Sequence, residues 1–76
     1  MDKIYGILTE LRPEFDYRQS NDFIADGLLD SFDIVSLVAE LDEKFNVTID
    51  ALDIVPENFN SVESIANVIR KHGGAI

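Results

Sequence analysis

Cysteine is absent from the 76 residues, so neither disulfides nor thiolate metal sites can hold this chain together. Histidine occurs once, at His72, in what reads as a C-terminal tail or helix-end cation. No spacing joins it to an acid or a serine in a catalytic pattern, so no catalytic residue and no metal site is expected. No apolar run reaches the roughly 18 residues that a membrane span requires. The segment MDKIYGILTELRPEF carries acids and has no uninterrupted apolar core, which argues against a secretory signal and for the cytoplasm. Bases are scarce: six against fifteen acids, for a net charge of −9. Such a field disfavours nucleic acid, anionic membrane and self-association, which predicts a monomer, and favours basic protein surfaces.

What is present is an ordinary apolar fraction, 46%, enough to expect a folded chain despite the charge. The charge is concentrated. Between Asp22 and Glu57 stand ten acids and one base, Lys44, a difference equal to the net charge of the whole chain. Repeats, low-complexity tracts and flexible linkers are missing, so residues 1–76 are expected to form one domain.

Periodicity predicts an all-α fold, a small four-helix bundle with helices at about 2–12, 31–45, 56–59 and 61–71. In the first, Ile4, Ile7, Leu8 and Leu11 share one face, and Pro13 disfavours helix at Arg12. In the second, SFDIVSLVAELDEKF, the stripe is Ile34, Leu37, Val38, Leu41 and Phe45. Asp30 stands at the N-cap with Asp33 three residues on, and Asn46 follows as a left-handed stop. Pro56 suits the first position of a short third helix. The fourth starts from a Ser61 cap, buries Val62, Ile65, Ala66 and Ile69, and ends at Gly73. Val47 and Ile49 alternate like a strand, but one short run has nothing to pair with.

Between the first two helices, Glu14 to Leu29 reads as a long ordered loop anchored by Phe15, Phe23, Ile24, Leu28 and Leu29. Loops of this length in small domains are often functional. This one delivers Ser31 to a helix N-terminus, where unpaired backbone N–H groups and the helix dipole favour an anion on the hydroxyl oxygen. Gly27 supplies a positive φ and the two leucines anchor the loop so that Ser31 is presented. A calcium loop is the competing reading of Asp22, Asp26, Asp30 and Asp33. Ile24 stands at its third position, where a side-chain oxygen is required, and Asp33 at its twelfth, where the longer glutamate is usual. A purely protein-interacting helical module is the other alternative.

The stretch GLLDSFDIVSLVAELDEKFNVTID resembles the signature of the acyl carrier protein family, and SVESIANVIRK resembles that family's last helix. The resemblance implies that Ser31 takes a covalent 4'-phosphopantetheine arm from coenzyme A, added by a phosphopantetheinyl transferase. The arm's thiol, which the chain itself lacks, would hold an acyl or aminoacyl group as a thioester. The protein would then be a carrier and cosubstrate rather than an enzyme. Its partners would be an acyl- or aminoacyl-activating ligase and a downstream acyltransferase, each with a basic docking surface. Asp33, Glu40 and Glu43 fall on one side of the second helix as docking acids, with Asp30 and Phe32 beside the serine. Phenylalanine after the serine is most similar to D-alanyl carriers of teichoic acid modification. Fatty-acid carriers usually have leucine there, and a glutamate where this chain has Ser36. The Ala51–Phe59 segment lacks the tryptophan associated with D-alanyl carriers, which keeps fatty-acid, polyketide and peptidyl carriers as alternatives.

Overall fold

The first helix, α1 (Asp2–Leu11), turns Ile4, Ile7 and Leu8 inward, and the apolar spacing read from the sequence is its buried stripe. A computed structural model describes residues 2–74; Met1, Ala75 and Ile76, the ends of the expected 1–76 domain, lie outside the described residues. Helix α2 (Ser31–Phe45) buries Ile34, Leu37, Val38 and Leu41, and α3 (Val62–Lys71) buries Val62, Ile65, Ala66, Val68 and Ile69. Helix α1 packs against both others. Leu8, Leu37, Leu41, Ile65 and Ile69 have essentially no exposure and form the centre. Burying a side chain of this size contributes about 1.5–3 kcal/mol relative to leaving it exposed.

The fold is all-helical among the described residues, with three α-helices rather than four. The expected third helix is a single 3₁₀ turn, Pro56–Asn58, and two further 3₁₀ turns form at Tyr17–Gln19 and Ala51–Asp53. Too few residues lie between the Pro56 start and the Ser61 cap of α3 for a helix to nucleate and propagate. Pro56 still fixes the first position of its turn, and Phe59 behind it is fully buried. Helix α1 stops at Leu11, one residue short of expectation, with the Arg12 N–H still donating to the Leu8 carbonyl at 2.9 Å.

Caps fall where side chains can supply them. Ser61 Oγ accepts from the Ser64 N–H at 3.1 Å, and Asn46 ends α2 at φ 54°, in the left-handed region. Val47 and Ile49 form no strand, yet both are buried. The Ile49 N–H is satisfied by Asp42 Oδ1 at 3.0 Å instead of by a neighbouring strand.

Candidate functional site

The loop that delivers Ser31 is held by three kinds of contact. Phe23 and Leu29 are buried, and Ile24 and Leu28 pack against the core. The Phe23 N–H donates to the Asn60 carbonyl at 2.7 Å, tying the loop to the cap region of α3. The N–H groups of Leu28 and Leu29 both donate to the Phe23 carbonyl, closing a turn that needs Gly27 at φ 76°. Tyr17, a residue without helical periodicity and so not anticipated as core, is buried as well. Its ring stands edge-on to Phe23 at 5.3 Å and to Phe15 at 6.3 Å, and its hydroxyl donates to the Arg12 carbonyl at 3.2 Å.

Ser31 is the first residue of α2 and is exposed. It sits inside a complete capping box. Asp30 Oδ1 accepts from the Asp33 N–H at 2.9 Å, and Asp33 Oδ2 accepts from the Asp30 N–H at 3.3 Å. The Asp33 N–H, chiefly, holds the Asp30 carboxyl below its ordinary range. The first-turn geometry around Ser31 is therefore set from both sides.

Asp33 is not on the exposed side of α2. It is 8% exposed, and Arg12 Nη1 contacts its two oxygens at 3.2 and 2.9 Å. The expectation that it serves as a docking acid is corrected on that ground: its oxygens are spent on the cap and the ion pair. The partner lies 21 positions away at the end of α1, so no local pattern could reveal it. Of the other expected docking residues, Asp30 and Glu43 are exposed and Glu40 is half-buried. Phe32 is 80% exposed and Val35 65%; with exposed Ala39 they are spaced as one outward strip of α2. Leu52, 85% exposed, stands on the Ala51–Asp53 turn. The exposed face of α2 next to Ser31 is thus, through Phe32 and Val35, more apolar than the charge pattern implied.

The carboxylates of the rival calcium reading have other work. Asp22 Oδ1 accepts from the N–H groups of Ile24 and Ala25, and Asp26 Oδ2 accepts from Ser20 Oγ at 2.6 Å. Asp30 and Asp33 form the cap. His72 takes the helix-end position of its two expected places, as a half-buried cap of α3, with Nε2 2.8 Å from Asp53 Oδ2. Lys71 Nζ donates to the other Asp53 oxygen at 2.8 Å, and these two contacts pull the Asp53 carboxyl below its ordinary value.

The family model described as a phosphopantetheine attachment site matches residues 7–69, a span that takes in Ser31, all of α2 and most of α3. No curated protein matches the chain at a significant level.

Proposed function

The chain belongs to the phosphopantetheine attachment site family, and we propose that it is a stand-alone carrier whose 4'-phosphopantetheine arm is borne by Ser31. The observation that carries this reading is an exposed serine at the first position of a 15-residue helix, framed by a complete capping box. The residues fit the group. An exposed hydroxyl there can carry a phosphodiester without displacing any core side chain, and the helix N-terminus favours the anion. Bound in this way, the arm supplies the terminal thiol on which an acyl or aminoacyl group is held, a thiol that a cysteine-free chain cannot supply. The protein's own residues anchor and present the arm; bond making and breaking fall to its partners, with the carrier as cosubstrate in the cytoplasm.

Docking rests on the strip formed by Phe32, Val35 and Ala39, with Asp30 at one end and Glu40 and Glu43 at the other. A phosphopantetheinyl transferase, an activating ligase and a downstream acyltransferase would each meet it with an apolar seat and a basic rim. D-alanine is the cargo we favour, because GLLDSF has phenylalanine after the serine and Phe32 is open to a partner.

The test is intact mass after incubation with coenzyme A and a promiscuous transferase. Wild type should gain one phosphopantetheine and Ser31→Ala none. A folded, initially unmodified wild type that gains nothing refutes the carrier reading. A loaded carrier that accepts D-alanine from its ligase supports the cargo, and one that refuses it while taking a fatty acyl group overturns the cargo alone.

A further inference from the structure

Arg12 lies outside the family's serine signature and far from it in sequence, yet it is built into the turn that carries Ser31. Its guanidinium reaches Asp33 through Nη1 and Glu14 through Nε at 3.2 Å, and it lies over the Phe15 ring at 5.4 Å. Its backbone is fixed independently, by the Leu8 carbonyl on its N–H and the Tyr17 hydroxyl on its carbonyl. A long side chain held at both ends has lost its freedom before it meets Asp33, so the pair is preorganised. Among the described residues no other base pairs with Asp33.

Asp33 cannot be left alone there. With its side chain 11% exposed, an unpaired carboxylate would be costly, and the relief available is to swing out to water. That movement would withdraw Oδ2 from the Asp30 N–H and open the capping box on one side. Ser31 lies between the two partners of that box, so its backbone would loosen first. Attachment of the arm adds a further negative charge to a turn already holding two carboxylates. Arg12 is the cation that offsets one of them.

We propose that Arg12 is a positioning residue for modification of Ser31: by pairing with Asp33 it locks the first turn of α2, so the hydroxyl is offered in one geometry. This inference rests on the carrier reading of Ser31. In this proposal Arg12 acts through Asp33 alone.

The test compares wild type with Arg12→Gln, Arg12→Lys and Asp33→Ala in two measurements. Amide hydrogen exchange by NMR is read at Asp30–Asp33 and at Leu37–Leu41. Transferase kcat and KM are read by intact mass. Loss of a cap interaction shifts a local opening equilibrium roughly tenfold, so Arg12→Gln should speed exchange about tenfold at the first turn and leave the helix centre unchanged. Its kcat should fall by about the same factor with KM little changed, because geometry is lost and binding is kept. Arg12→Lys, which keeps the charge, should recover most of both; Asp33→Ala, which removes the oxygen that accepts from the Asp30 N–H, should resemble Arg12→Gln. If Arg12→Gln fails to fold, the other two variants carry the comparison. Unchanged exchange and rate, a rise in KM alone, or faster exchange along all of α2 would each overturn the proposal. A wild type that takes no arm refutes the carrier reading, whereas a modified wild type with indifferent variants refutes this inference only.

Discussion

Tyr17 is the residue at which burial and chemistry conflict most plainly. Its ring is 2% exposed, and that burial pushes the phenol up to about 12, from an ordinary value near 10, with the Arg12 charge acting in the opposite sense. Because the folded-state value lies above the unfolded one, the contribution to stability is complete below pH ~10 and is lost as pH rises from there to ~12. Alkaline titration followed by phenolate ultraviolet absorbance should therefore show a component near 12 that disappears in Tyr17→Phe. A full phenolate signal below pH ~11 in the folded wild type would mean that the ring is not buried. Tyr17→Phe should also free the Arg12 carbonyl, at a cost of about 1 kcal/mol for one hydrogen bond.

At the scale of elements, the helices were legible and their long-range ties were not. Each apolar stripe, the Ser61 cap, the Asn46 stop and the Gly27 turn follow from residues within a few positions of one another, and local rules suffice for them. The serine at the start of α2 was legible for the same reason. The burial of Asp33 and the Asp53 contact of His72 were not legible, because the partners are 21 and 19 residues away, across gaps that no periodicity spans. The short third helix failed through length, since one turn bounded by Val55 and Phe59 closes as 3₁₀. Within α1, Gly6 opposes its own element. It is exposed, and a Cβ added there would meet nothing within 4 Å. Gly6→Ala should raise stability by about 0.5–1 kcal/mol, read as a higher denaturant midpoint at unchanged slope. A lower midpoint would show that α1 needs the freedom of the glycine backbone at this position.

The whole molecule sets its charge against its fold. A net charge of −9 is carried by a body with a radius of gyration of 11.1 Å, comparable to the Debye length of about 10 Å at 0.1 M salt. At low ionic strength every acid therefore feels most of the others, and folding concentrates a charge that the unfolded chain spreads out. The ion pairs push the other way, but they are few and mostly open. Arg18–Asp2 is largely solvent-exposed, and Lys71–Asp53 and Arg12–Glu14 each expose one side chain by more than half, so such pairs are worth at most about 1 kcal/mol apiece. Repulsion should win. Raising salt from about 0.01 M to about 0.15 M shortens the Debye length from roughly 30 Å to roughly 8 Å. If that relieves about 1 kcal/mol, Tm by circular dichroism should climb about 4–8 °C. The same salt should slow association with a basic transferase, since the steering field is screened while the apolar strip at Phe32 and Val35 is not. Stability and encounter rate are thus expected to move in opposite directions along one titration. A Tm that falls with salt would mean that the ion pairs outweigh the repulsion. An encounter rate indifferent to salt would mean that partners are recruited by the apolar strip alone, with the acidic surface serving only to keep copies of the chain apart.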